Sequence, residues 1–245
     1  MMRLNISSTK QNTAENFTDY LVELIKKNDN LHVALSGGST PKIVFDELAS
    51  RNLPKSGWEK VHFYWGDERC VPPDDAESNY KMTDEHLLSK IEIPEENVHR
   101  IRGEEDPKQE AERYSRVLKE NIPEVDGLPR FDLIILGMGD DGHTASIFPY
   151  EIGLWNADQF CEVAEHPNSG QKRVTITGRI INHAANVAFL VTGEGKAEKV
   201  GQIIDKTGDY KAYPASLVEP YKGNLIWFLD EAAAQNITDP KGSQI

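Results

Sequence analysis

Short apolar runs alternate with amphipathic stretches along most of this chain. Leu31–Leu35 (LHVAL), Val61–Trp65 (VHFYW), Phe131–Leu136 (FDLIIL), Val187–Thr192 (VAFLVT) and Leu225–Leu229 (LIWFL) read as buried strands. Val174–Ile176 is a further short strand. Between them, residues 12–28 place Phe17, Leu21, Leu24 and Ile25 on one helical face. Lys42–Ser50 reads as a helix, with Pro41 suited to its first turn. Residues 78–90, 107–120 and 196–204 are also expected to be helical. Strands alternating with helices predict an α/β fold with a largely parallel sheet. No internal repeat or low-complexity linker interrupts the pattern, so residues 1–245 are expected to form a single domain.

In such sheets, ligands sit beyond the carboxyl ends of the strands. Here those ends run into SGGST, GDER, GMGDDGH and TGEGK. The third loop satisfies G-x-G-x-x-G through Gly137, Gly139 and Gly142. As a dinucleotide loop it would set a pyrophosphate on the start of the following helix. Asp140 and Asp141 would meet that dianion with two carboxylates, and Pro149 limits such a helix to about two turns. The other reading is that the glycines hold a histidine. Asp141 and His143 are one residue apart, a spacing at which a carboxylate can fix an imidazole tautomer and stabilise its protonated form. The same pair also fits a capping aspartate beside a structural histidine. His32, His62, His86 and His99 fall on strands, helices or connectors, where structural roles are expected.

SGGST has the makings of an anion pocket. Gly37 and Gly38 free the backbone, Ser39 and Thr40 bring hydroxyls, and a helix begins at about Pro41. No G-K-[ST] follows, so it is not a nucleotide-hydrolysing loop. The formal charge of −13 argues against nucleic acid or an anionic membrane as partner. It also means that an anionic ligand needs local cations. Arg69 follows the second strand and Lys196 follows Gly193 and Gly195, both at strand ends; Arg173, before VTIT, is a further candidate. With 38% hydrophobic and 27% charged residues, the chain is of ordinary soluble composition. It contains no run of about 20 apolar residues and opens without the apolar core of a signal peptide, so a cytoplasmic location is expected. Cys70 and Cys161 suggest neither a disulfide framework nor a zinc site, although the neighbouring Arg69 would be expected to lower the Cys70 thiol pKa.

The order SGGSTP, GDERCVPPDDAESNY, GMGDDGHTASIFP, RVTIT, VTGEGKA and YPASLVEP resembles that of 6-phosphogluconolactonases over roughly residues 30–230. Glucosamine-6-phosphate deaminases are similar at the glycine-serine-threonine loop, the Asp-Glu pair and the D-G-H loop. They usually carry Asp-Glu-Tyr and an I-A-F-N-E-P-like run after the histidine, where this chain has Asp67-Glu68-Arg69 and Thr144-Ala-Ser-Ile-Phe-Pro149. Tyr150 and Gly178 stand where the lactonases commonly have glycine and proline.

The resemblance implies a three-layer sandwich like that of the deaminases and ribose-5-phosphate isomerase. It implies hydrolysis of 6-phospho-D-glucono-1,5-lactone to 6-phosphogluconate in the oxidative pentose phosphate pathway, with no cofactor and no metal. A deaminase-type enzyme and a non-catalytic sugar-phosphate sensor are the alternatives. In the lactonase reading His143 is a general base that activates water, Asp141 orients it, and Arg69 serves either the oxyanion or the phosphate. Gly37, Gly38, Ser39, Thr40 and Lys196 contact the phosphorylated sugar, with Arg173 as a further contact. Ser146 is not expected to be a nucleophile, because no G-x-S-x-G elbow surrounds it. Asp67, a proton-abstracting residue in deaminases, is expected here to pair with Arg69 or another cation. The acidic loop 72–80 is either a lid or a segment stiffened by Pro72 and Pro73.

Overall fold

The computed structural model describes residues 2–239. In chain order the strands are β1 (Met2–Ser7), β2 (Leu31–Leu35), β3 (Val61–Trp65), β4 (Asp67–Arg69), β5 (Val98–His99), β6 (Glu124–Val125), β7 (Leu128–Pro129), β8 (Leu133–Leu136), β9 (Cys161–Glu165), β10 (Lys172–Ile176), β11 (Asn186–Val191) and β12 (Asn224–Asp230). The helices are α1 (Lys10–Lys27), α2 (Ser39–Ser50), α3 (Lys55–Trp58), α4 (Asn79–His86), α5 (Pro107–Asn121), α6 (Gly178–Ile181), α7 (Ala197–Asp205) and α8 (Glu231–Ala234).

Seven strands form one sheet in the order β1-β12-β11-β8-β2-β3-β5, and every neighbouring pair is parallel. β2 and β8 are buried at every position, as parallel strands covered on both faces must be. Registers Tyr64↔Ala34, Ala34↔Ile134, Ile134↔Val187 and Val187↔Leu225 put these residues, and Trp227 two further on, on one face. The opposite face carries Phe228, which meets Phe17 of α1 edge to face at 5.2 Å. Helices on both faces close the layers, as the alternating pattern predicted.

Four differences from the expected pattern stand out. β1 was not expected; it is an edge strand in which only Leu4 and Ser7 are buried, so it carries no apolar run. GDER is not a loop: after Gly66 the chain re-enters extended structure as β4. The strand around Val174 is longer than expected and leaves the main sheet, joining β4 and β9 in a separate antiparallel sheet. Finally, α2 starts at Ser39, so Ser39 and Thr40 are helical residues rather than loop residues.

Candidate active site

The strand ends meet in one cavity of about 240 Å³. All eight sequence-chosen contact residues line it: Gly37, Gly38, Ser39, Thr40, Arg69, His143, Arg173 and Lys196. Asp141 lies behind His143 and touches its ring.

The loop after β8 is shaped around the histidine. The Gly139 N–H donates to the His143 carbonyl at 2.9 Å, and the Gly142 N–H donates to the Gly139 carbonyl at 3.1 Å. Gly142 takes φ +84°, which disfavours side chains. A Cβ at Gly139 would lie 2.2 Å from both Cε1 and Nδ1 of His143. The glycines thus make room for an imidazole. No helix starts after Gly142: a Thr144–Ile147 bridge follows, then a 3₁₀ segment from Pro149, so a pyrophosphate has no helix N-terminus to rest on there.

His143 Nδ1 lies 2.6 Å from Asp141 Oδ1, which also accepts the His143 backbone N–H at 3.0 Å. An ionised carboxylate only accepts, so Nδ1 carries the proton, which in the neutral imidazole leaves the lone pair on Nε2. Burial works against the Asp141 charge, but the hydrogen bonds and charge of His143 outweigh it and hold the carboxyl below its ordinary value. Phe148 packs against the imidazole with ring centres 4.6 Å apart.

Opposite stands the start of α2. Its N-cap, Gly38, has φ +113° and no capping side chain, which leaves first-turn N–H groups for a ligand. Thr40 Oγ1 lies 2.9 Å from Thr192 Oγ1, and Lys10 Nζ donates to Ser39 Oγ at 3.1 Å. Lys196, on the 3₁₀ turn before α7, is ion-paired with the exposed Asp140.

The third wall is cationic. Arg69 and Arg173 are direct cross-strand partners on β4 and β10. Arg69 Nη1 donates to the Glu77 carbonyl, and Arg173 Nη1 reaches Ser146 Oγ at 3.5 Å. The Nε of each is buried without a partner. Burial lowers the Arg173 pKa; Asp67 opposes this and the Arg69 charge adds to it.

Two expectations need correction. Asp67 forms no ion pair with Arg69: its carboxylate is buried, lines the cavity, and accepts the Ser146 hydroxyl at 2.6 Å. The Cys70 thiol is pushed up to about 11, not down, because burial dominates and Glu68 adds repulsion. Segment 72–80 is tied at its end by buried Glu68, which accepts the N–H groups of Asn79 and Tyr80 and the Ser78 hydroxyl. Sequence reasoning missed Ser36, Asn79 and Thr192, which also line the cavity. Asn79 sits where a Gly37 Cβ would be and donates to the Asp67 carbonyl at 3.0 Å. Thr192 adjoins GEGK, a position that was the available signal. Among the described residues, no cluster of three or more His, Cys, Asp or Glu side chains is placed to hold a metal, and no helix is long and apolar enough to cross a membrane.

Residues 5–227 match the family of glucosamine-6-phosphate isomerases/6-phosphogluconolactonase. The chain belongs to this family. It is 41% identical over 228 residues to the 6-phosphogluconolactonase of Haemophilus influenzae, covering 93% of this chain and 96% of that one. Its structure is similar to that of 6-phosphogluconolactonase from Trypanosoma brucei, with a TM-score of 0.87, 30% identity, and 96% and 98% of the two chains covered. A monomeric glucosamine-6-phosphate deaminase shares the fold at 18% identity, with a TM-score of 0.79 and 96% and 100% of the chains covered. By its relatives the chain stands with the hydrolases of the family.

Proposed function

We propose that this enzyme hydrolyses 6-phospho-D-glucono-1,5-lactone to 6-phosphogluconate, the lactone-opening step of the oxidative pentose phosphate pathway, with His143 as general base. The observation that carries the reading is the 2.6 Å Asp141–His143 contact on a cavity that also holds two guanidinium groups. A base next to a cationic recess suits a phosphorylated ester, and its 6-phosphogluconolactonase relatives support that substrate.

Nε2 of His143 removes a proton from a water that adds to C1, and Asp141 stabilises the imidazolium that forms. The tetrahedral adduct then collapses, the bond between C1 and the ring oxygen breaks, and the imidazolium returns its proton to that oxygen. A positioned base contributes about 10²–10⁴-fold. Ser39, Thr40, Lys196 and the free N–H groups at Gly37–Thr40 take the phosphate. Arg69 and Arg173 add positive charge for phosphate oxygens and for the oxyanion developing at C1. Ser146 is not a nucleophile in this scheme, because its hydroxyl is committed to Asp67.

The test is lactone opening followed by coupling to 6-phosphogluconate dehydrogenase, with spontaneous opening subtracted. Wild type should exceed background, and His143→Ala should lose at least about 10²-fold while still binding 6-phosphogluconate. No wild-type rate above background overturns the reading, and ammonia release from glucosamine 6-phosphate would replace it with the deaminase.

A further inference from the structure

A second cavity, of about 210 Å³, lies on the far side of the catalytic loop. It is walled by Ile203 and Ile204 of α7, by Leu225 and Trp227 of β12, and by Ala215 and Val218 of the segment that precedes β12. Leu225 and Met2, at the amino ends of β12 and β1, place it at the opposite end of the strands from His143.

This cavity is apolar but not chemically blank. Trp227 Nε1 and Ser216 Oγ belong to residues that line it, and both are buried with no hydrogen-bond partner. A buried donor left unmade is costly and uncommon. Lys206 stands at the mouth without a carboxylate in ion-pair range among the described residues, and Glu219 is the single acidic residue of the lining. The Lys206 ammonium offers protons at the mouth, and the indole N–H and the hydroxyl lie just beneath the lining, where they meet a ligand only as it opens the wall. The complementary ligand is apolar along its body and carries an acceptor at its end.

The cavity is also wired to the catalytic loop. The Ala215 N–H donates to the Gly142 carbonyl at 3.1 Å, and the Ser216 N–H donates to the Tyr213 carbonyl at 2.9 Å. Tyr213 packs so closely over Gly142 that a Cβ there would lie 2.6 Å from its own Cβ. The Tyr213 hydroxyl donates to Gln202 of α7 at 2.8 Å, and α7 begins directly after Lys196. A ligand that spreads α7 from residues 215–218 therefore pulls on the loop that positions His143.

We propose that this cavity is a binding site for a small apolar monocarboxylate, placed to act on the catalytic loop through Ala215. The probe is hexanoate, titrated calorimetrically and by ¹H–¹⁵N NMR into the full chain, with hexanol as the uncharged control. Wild type should bind hexanoate saturably at one site and shift the amide signals of Ala215, Gly142 and His143. Lys206 has φ +55°, so Lys206→Gly removes the cation without straining the backbone. That variant should bind hexanoate about tenfold more weakly and hexanol unchanged. Ile204→Trp, which fills the cavity, should bind neither. Absence of saturable binding in wild type, or undiminished binding in Ile204→Trp, overturns the site. Binding that leaves Gly142 and His143 unmoved overturns the link to the loop. Concentration-dependent dimerisation lost in Ile204→Trp would assign the cavity to a second copy instead. None of these readouts uses turnover, so the site stands or falls independently of the lactonase reading.

Discussion

A single oxygen, Oδ1 of Asp141, binds His143 twice, through the ring Nδ1 at 2.6 Å and through the backbone N–H at 3.0 Å. The same atom therefore sets both the course of the loop and the tautomer of the imidazole. Asp141→Asn presents an amide that can turn its NH₂ toward Nδ1 and favour the wrong tautomer. We expect kcat to fall by at least about 10²-fold, with KM changed little. Because the Asp141 carboxyl is held below its ordinary value, the pair is intact above the ordinary carboxylate pKa and is lost only as pH falls through the lowered one. Steady-state kinetics of both proteins over pH 5–8, where the pair is intact, should show a deficit that does not change with pH through Asp141; an unchanged kcat removes Asp141 from the mechanism.

Gly139 is the residue on which the ring position depends most directly. A methyl group there would lie 2.2 Å from the imidazole, so Gly139→Ala must displace His143. A displacement on the order of 1 Å costs about 10²-fold in rate. Circular dichroism should show the fold retained while activity drops by that factor. Gly137, where a Cβ would meet only Ser36 Oγ at 3.7 Å, should accept alanine with a much smaller loss, although both glycines belong to the same sequence pattern.

The contrast between these glycines shows what was legible in the sequence. β2 and β3 stood out because both are apolar runs buried on two faces, and the Asp141–His143 spacing was short enough for their contact to be read locally. β4 was mistaken for a loop because its buried side chains are carboxylates. Asp67 and Glu68 are satisfied by Ser146, Ser78 and backbone N–H groups, and no hydrophobic period reports such bonds. Arg69 and Arg173 were each chosen singly. Their direct pairing depends on the register of a small sheet assembled from segments far apart in sequence, and the overlay of Asn79 on Gly37 has the same origin.

The arginine pair makes a prediction about anions. Like charges directly opposite across two strands are destabilising, and both Nε groups are buried without partners. An anion at their guanidinium ends relieves the first of these costs. Inorganic phosphate or 6-phosphogluconate at 100 times its Kd should stabilise the wild type by about 2.7 kcal/mol. Arg173→Met should lose most of this ligand-induced rise in Tm, and without ligand should be no less stable than wild type. An equal rise in both proteins would place the anion elsewhere in the cavity.

Away from the site, His32, His62 and His99 form a row across β2, β3 and β5. The His32 and His62 rings stack at 4.9 Å, and His62 Nδ1 lies 3.3 Å from His99 Nε2. Burial, with the charges of the other two, lowers His32 to about 4; burial and His62 lower His99 to about 4; His62 is lowered by burial. The unfolded chain therefore takes up protons near pH 6.5 that the folded chain refuses until about pH 4. The contribution of His32 and His99 to stability is complete above pH 6.5 and is lost as pH falls toward 4, and His62 adds to the loss in the same direction. Buried carboxyls that are raised, such as Asp132, push the other way, so the difference between two proteins is the quantity to measure. His32→Phe keeps an aromatic ring against His62 and removes one titrating group. Urea unfolding of both proteins between pH 4 and 7.5 should give a shallower loss for the variant on the acid side. Parallel curves would mean that the row stays neutral in the unfolded chain as well, or charges without cost in the folded one.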